Sequence, residues 1–112
     1  MPYYLVQFSY TKEAVKTLVE NPQNRVEAVR PAFEELGVTM REAFLAFGDY
    51  DVILLIEAPD NVRAAAISLA VTAGGAVEHY KTTPLITWDE GVEAMRTAGG
   101  SSYRPPAEPR HY

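Results

Sequence analysis

The segment Val52–Ile56, with the sequence VILLI, constrains the fold more than any other part of the chain. Turn residues flank it, and its length and branched side chains are typical of a β-strand. Side chains alternate between the two faces of a strand, so both faces of this one are apolar. Because burial of apolar surface contributes about 25 cal/mol per Å², both faces must be covered. We therefore expect helices on one side of a sheet and a second cover on the other.

Hydrophobic periodicity and capping residues predict the order β-α-β-β-α-β, followed by a C-terminal helix and a tail. The predicted strands cover residues 3–10, 38–47, 51–58 and 76–83. Helices are expected to begin after Thr11, Asn24, Asp60 and Thr87. An interior proline costs about 3 kcal/mol, so we expect a kink or break at Pro31. The order is that of an α+β, ferredoxin-like sandwich, with residues 1–98 as the domain and 99–112 as a proline-rich tail.

Right-handed crossovers place the two main helices on the same face of this sheet and leave the other face open. The C-terminal helix is too short to cover four strands. We therefore expect a homodimer or larger homo-oligomer in which two sheets pack face to face as a dimeric α+β barrel. In the alternative arrangement, the C-terminal helix and tail fold back over the sheet of their own chain.

Charge and composition exclude several classes of function. The net charge is -5, and seven arginines and three lysines are scattered along the chain, so we expect neither nucleic-acid nor membrane binding. The absence of cysteine excludes disulfides and thiolate chemistry. We expect no cofactor and no metal site, since the two histidines have no carboxylate at ligand spacing. The opening residues lack the features of a signal peptide, which favours a cytoplasmic location.

Several motifs resemble those of the GYD-domain family. They are Gly48-Asp49-Tyr50-Asp51 between two apolar runs, the following Glu57-Ala58-Pro59-Asp60-Asn61, the stretch Lys81–Thr87, and Gly99–Pro106 near the end. The family consists of small bacterial proteins similar to dimeric α+β-barrel proteins. The resemblance implies the fold and the dimer, and it implies no particular reaction or catalytic residues.

Polar residues on the predicted strands are candidates for a ligand site. Gln7 and Ser9 alternate with apolar residues and are expected to point into the space between the two sheets, where polar groups need partners or water. Tyr50 is either a hairpin residue packed on the sheet edge or a phenol donor at a cavity rim. His79 and Lys81 are expected on one face of the fourth strand. They are either solvated edge charges or, for His79, an acid–base group.

Two functions are compatible with these residues. The first is an oligomeric module that binds a small apolar or aromatic ligand, or a partner protein, with Gln7, Ser9, Tyr50, His79 and Lys81 as the candidate ligand-binding residues. The second is a cofactor-independent enzyme that uses the cavity between the sheets, with His79 and Tyr50 as candidate catalytic groups. The fold hosts both functions. We also expect the tail to pack on a neighbouring subunit through Tyr103.

Overall fold

The computed structural model describes residues 1–107 and shows an α+β architecture, as predicted. A four-stranded antiparallel sheet has the order β2-β3-β1-β4, which is compatible with a ferredoxin-like fold. The elements are β1 (Tyr3–Tyr10), α1 (Lys12–Glu20), α2 (Arg25–Glu35), β2 (Thr39–Leu45), β3 (Val52–Glu57), α3 (Asn61–Ala73), β4 (Val77–Leu85) and α4 (Trp88–Gly99).

The two central strands divide the sheet into a covered face and an open face. Alternate residues of β1 and β3 are buried against the helices, namely Tyr4, Val6, Phe8, Val52, Leu54 and Ile56. The residues between them on β3, Ile53 and Leu55, point to the other face and are only half-buried. The predicted alternation along Val52–Ile56 is therefore confirmed.

Each helix begins where the sequence predicts. The side chains of Thr11, Asn24, Asp60 and Thr87 each accept a hydrogen bond from a backbone N–H in the first turn that follows. Glu90 completes a capping box with Thr87, because its carboxylate accepts from the Thr87 N–H at 2.9 Å. α1 ends at Glu20, directly before the Asn21-Pro22 pair. Pro84 lies near the end of the edge strand β4, where a missing N–H is tolerated.

Pro31 does not break the second helix, so one of the two predicted outcomes is wrong. α2 runs through Pro31 as a single helix. Phe33, two residues further along, is 4% exposed and belongs to the core. Burial of this large side chain favours continuing the helix beyond the proline, because a fully buried aromatic side chain contributes about 1.5–3 kcal/mol, which offsets the cost of the lost hydrogen bond.

The C-terminal helix projects away from the domain. No side chain of α4 is buried, and residues 100–107 are exposed. The radius of gyration is 18.9 Å, against about 13 Å for a compact chain of this length. The alternative in which α4 and the tail cover their own sheet is therefore wrong for the described residues; 108–112 lie outside them. Among residues 1–107, no helix has the length and apolar character required to cross a bilayer.

Candidate functional site

The open face of the sheet carries an apolar centre that no element of the described chain covers. Leu5 lies opposite Leu55 on one side and Thr83 on the other, and Ile53 lies opposite Phe44. Phe44 is 61% exposed. A monomeric protein rarely presents so continuous an apolar sheet face to water, so this face has the character of an interface.

Glu57 and Arg41 form an ion pair at the margin of the open face. Glu57 is 8% exposed, and the Arg41 guanidinium donates a hydrogen bond to its carboxylate. Arg41 reaches it from the irregularity in β2 between Met40 and Glu42. The hydrogen bond and charge of Glu57 raise the pKa of Arg41 above its ordinary value. A buried carboxylate requires such a partner, so this pair defines one border of the face.

The Gly48–Asp51 corner is tied to the end of β1. The Asp51 N–H donates to the carbonyl of Phe8 at 2.9 Å, and the Asp51 carboxylate accepts from the Tyr10 N–H at 2.8 Å. The Ser9 hydroxyl donates to the carbonyl of Asp49 at 3.4 Å. Asp51 therefore has a structural role, since it satisfies backbone groups where the β2–β3 connection meets β1.

Gly48 does not have the positive φ angle that often requires glycine in a tight turn. Among the described glycines, only Gly37 and Gly75 have positive φ angles. A Cβ atom at Gly48 would meet no described atom within 4 Å. Nothing within the described chain requires glycine at this position.

His79 lies in a β-bulge, and this corrects the predicted arrangement of β4. Ser9 pairs with Glu78 and Gln7 pairs with Lys81, so β4 has one residue more than β1 between these pairs. His79 has a φ of 55°, in the left-handed region, and its Nε2 lies 4.0 Å from the Glu78 carboxylate. The prediction that His79 and Lys81 share one face of β4 is therefore wrong. The extra residue shifts the alternation of side chains along the strand. Glu78, rather than His79, lies opposite Ser9 on the open face.

The structure brings the predicted site residues together in two groups. Gln7 and Lys81 are cross-strand neighbours on the open face. Ser9, Tyr50 and His79 lie at the same end of the sheet, around the end of β1. His79 is exposed and Tyr50 is half-buried. None of these five residues lines the cavity that lies between α2, α3 and the sheet. Among residues 1–107, no cluster of side chains is suited to hold a metal ion.

A large cavity that the sequence did not predict lies on the opposite face of the sheet. It has a volume of about 1010 Å³ and lies between α2, α3 and the sheet. We call it the helix-side groove. Its apolar lining includes Val26, Val29 and Phe33 of α2, Ile67, Ala70 and Val71 of α3, and Phe8, Val52 and Leu54 of the sheet. The volume lies at the upper end of the range for ligand sites. Spacing of apolar residues predicts which faces meet, but not the gap between two neighbouring helices.

Polar groups of the helix-side groove lie mainly on α2 and β2. The lining contains three arginines and two glutamates, namely Arg25, Arg30, Arg41, Glu27 and Glu42. Arg30 donates to the Met40 carbonyl at 3.1 Å and pairs with Glu27 at 3.4 Å. Partial burial raises the pKa of Tyr10, which also lines the groove; the charge of Arg25 opposes this shift and that of Asp51 adds to it. Arg41 is paired with Glu57 and Arg30 with Glu27, so the charged groups at the groove are close to balanced.

Two further apolar surfaces are exposed. At the end of β2 and in the corner, Leu45 is 78% and Phe47 is 100% exposed. On α4, Trp88, Val92 and Met95 recur at helical spacing and are 82%, 39% and 60% exposed. We call these three residues the α4 stripe. An amphipathic helix normally buries its apolar side, so the α4 stripe has the character of an unoccupied contact surface.

Comparison with known proteins agrees with the motif around the corner. A family model described as the GYD domain matches residues 4–95. The chain belongs to the GYD-domain family. A protein of Thermus thermophilus named "Glutamine synthetase and cystathionine beta-lyase binding protein" is 28% identical over 78 residues, which cover 70% of this chain and 82% of that protein. No solved structure matches this GYD-domain chain significantly.

Proposed function

We propose that this GYD-domain protein is a homo-oligomeric module that binds a partner protein. The observation that carries the proposal is the apolar, uncovered open face centred on Leu5, Ile53 and Leu55. Burying it against a second copy stabilises both sheets at about 25 cal/mol per Å² of apolar area. The dimeric α+β barrel, the cytoplasmic location and the division into a domain and a tail belong to this proposal.

The partner we propose is a metabolic enzyme. The name of the Thermus thermophilus relative describes binding to glutamine synthetase and cystathionine beta-lyase. In this chain, Leu45 and Phe47 lie at the corner end of the sheet and are almost fully exposed. A large exposed aromatic side chain is typical of residues that contribute strongly to protein–protein binding. We assign the enzyme contact to this corner and the self-contact to the open face.

A small apolar or aromatic ligand belongs to the same proposal. In a face-to-face dimer, Gln7 and Lys81 of each copy border the apolar centre between the sheets. Ser9, Tyr50 and His79 lie at one end of that space. An apolar space with a few polar groups is the usual composition of a ligand site. Mass spectrometry of the native protein tests this part by identifying any molecule retained through purification.

Light scattering at micromolar concentration tests the self-contact. The expected result is at least two chains per particle. Leu55→Arg places a charge in the apolar centre and should lower the number of chains per particle. Val19→Arg, at an α1 position that is 73% exposed, is the matched control and should leave the particle mass unchanged. A wild-type protein that remains monomeric at these concentrations contradicts the proposed self-contact.

Calorimetry with purified glutamine synthetase and cystathionine beta-lyase from the same organism tests the partner. We expect binding of at least one enzyme, with a dissociation constant weakened at least tenfold by Phe47→Asp, as for a strong interface residue. Val19→Asp serves as the control. Absence of heat with both enzymes, or equal binding by the Phe47→Asp variant, contradicts the assignment of the corner.

A further inference from the structure

We infer that the helix-side groove is a binding site for the α4 stripe of a second copy of this chain, so that two copies exchange their C-terminal helices. This contact lies on the opposite side of the sheet from the open face. It is therefore separate from the self-contact proposed above and does not depend on the enzyme partner.

The helix-side groove and the α4 stripe each lack a partner of the kind that the other provides. The groove is bordered by apolar residues of α2 and α3, such as Val29 and Val71. The α4 stripe presents three large apolar side chains within two turns of helix. A helix that lays its apolar side into a groove through residues at i, i+4 and i+7 is a common mode of recognition. Trp88, Val92 and Met95 have this spacing.

The position of α4 in the chain also favours a second copy. On β1 and β4 the groove is lined only near the end of β1 and the start of β4, by Phe8, Tyr10 and Val77, and its other sheet residues belong to β2 and β3, neither of which pairs with β4. α4 starts beyond the other end of β4, after Leu85, which pairs with Tyr3. The nine residues of β4 span about 30 Å, whereas α4 with its twelve residues is about 18 Å long. Only Ile86 and Thr87 connect the two elements, and α4 buries no side chain against its own domain. A second copy is therefore the occupant that the geometry favours.

Charge supports the same pairing. Of the three arginines in the groove lining, Arg30 pairs with Glu27 and Arg41 pairs with Glu57, whereas Arg25 is exposed and has no ion-pair partner among residues 1–107. Residues 88–99 carry Asp89, Glu90, Glu93 and Arg96, a net charge of -2. Asp89 and Glu93 are four residues apart and lie on one flank of the α4 stripe. A contact between these carboxylates and Arg25 favours one orientation of α4 in the groove.

Reciprocal exchange closes the assembly. If each copy places its helix in the groove of the other, the same two surfaces are used twice around a two-fold axis. Small residues on the groove walls, Ala70 and Gly74 among them, permit close approach of the incoming helix. The contact orders α4, which is otherwise held only by its own backbone and the capping box at Thr87.

Trp88 provides a direct readout, because it is the single tryptophan of the chain. It is 82% exposed in one copy, so its emission should be that of indole in water when the full-length protein is dilute. As concentration rises, transfer into the groove should shift the emission maximum to shorter wavelength. The shift should follow the increase in particle mass measured by light scattering. Emission that stays constant over the range of association overturns the inference.

Variants separate the groove from the open face. Val71→Arg, on the groove wall, should abolish the shift, whereas Leu55→Arg, on the open face, should preserve it. Val62→Arg is the matched control on α3, at a position that is 75% exposed, and should also preserve it. A shift that Leu55→Arg removes and Val71→Arg leaves intact means that α4 covers the open face. That result overturns this inference while it supports the proposed self-contact.

Arg25→Glu tests the charge argument in a variant that should retain the fold. Arg25 is exposed in the first turn of α2, where a negative charge is compatible with the helix dipole. The concentration at the midpoint of the Trp88 shift should rise roughly three-fold, the size expected of an exposed charge pair. An unchanged or lower midpoint contradicts the contact between α4 and Arg25, even if Val71→Arg fails to fold.

Discussion

Among single residues, Tyr80 combines a favourable ring contact with an unfavourable polar group. Its ring stacks on Phe8 with centroids 5.6 Å apart, on the covered side of the sheet. Its hydroxyl is buried and has no hydrogen-bond partner among residues 1–107. Burial raises the pKa of Tyr80 to about 12, an effect that the nearby Thr82 hydroxyl reduces slightly without forming a regular hydrogen bond.

Replacement of Tyr80 by phenylalanine should stabilise the protein. The variant keeps the ring contact and removes a hydroxyl that is desolvated without compensation, so the free energy of unfolding should rise by about 1 kcal/mol. Chemical denaturation at neutral pH measures this. A lower stability of Tyr80→Phe would mean that the hydroxyl has a favourable contact after all.

The pH dependence of stability gives an independent test of the same residue. The pKa of Tyr80 has its ordinary value of 10.0 in the unfolded chain and is about 12 in the folded protein. Between these values the unfolded state releases the Tyr80 proton while the folded state retains it, so the free energy of unfolding falls as pH rises. Tyr80→Phe should show a smaller fall from pH 10 to 12 in denaturation measurements. Equal slopes in the two proteins contradict the raised pKa.

His79 is strained by the bulge in β4. A left-handed backbone costs roughly 1–2 kcal/mol for a residue with a Cβ atom, and glycine avoids this cost. His79→Gly should therefore raise the free energy of unfolding by about 1 kcal/mol. His79→Ala, which keeps the Cβ atom, is the control and should not. If both variants are destabilised equally, the histidine side chain itself stabilises the bulge.

At the scale of elements, two helices contribute buried side chains to the core and two do not. α2 and α3 contribute Phe33, Ala64 and Ile67. α1 and α4 contribute none of their side chains. Propensity and capping alone make a helix of this length marginal in water. Removal of the N-cap side chain of α3 should therefore lower the free energy of unfolding of the protein, whereas the same change in α4 should not.

Two cap replacements test this difference. The Asp60 carboxylate accepts from the Arg63 N–H at 2.9 Å, and the Thr87 hydroxyl accepts from the Glu90 N–H at 3.1 Å. Asp60→Ala should lower the free energy of unfolding by about 1 kcal/mol, because α3 is part of the core. Thr87→Ala should leave global unfolding unchanged in dilute solution and instead increase hydrogen exchange within α4. A similar drop in both variants would show that α4 unfolds together with the domain.

At the scale of the whole molecule, the described chain is elongated because α4 and the residues after it extend from the domain. It measures 62 × 36 × 22 Å. Tyr103 is 78% exposed in one copy, so the predicted packing of the tail on a neighbouring subunit stays a prediction. His111 and Tyr112, which the sequence analysis included in that tail, lie outside the described residues.

Deletion of residues 99–112 should weaken self-association while the domain remains folded. Tyr103→Ala should reproduce part of the effect if this side chain is the anchor. Sedimentation measures the association constant, and the melting temperature of the dilute protein checks the fold. An association constant that neither change alters would show that these residues are incidental to assembly.

Local sequence signals determined the elements, because their causes are local. The side-chain oxygens of Thr11, Asn24, Asp60 and Thr87 satisfy N–H groups two or three residues away, so the helix starts could be predicted. The alternation along Val52–Ile56 likewise fixed which side chains are covered, since it follows from the geometry of a strand. The continuation of α2 through Pro31 goes with the burial of Phe33, a contact between distant parts of the chain that local signals do not predict.

The candidate sites depended on tertiary structure to a greater extent. The bulge at His79 changed which side chains of β4 meet Ser9, and one additional residue in a strand leaves no periodic signal. The helix-side groove arises from the spacing between α2 and α3, and the exposure of the α4 stripe arises from the direction in which α4 leaves β4. Spacings and directions between elements depend on how all the side chains pack together. The sequence by itself therefore determined the elements and their faces, and the tertiary structure decided which faces remain uncovered.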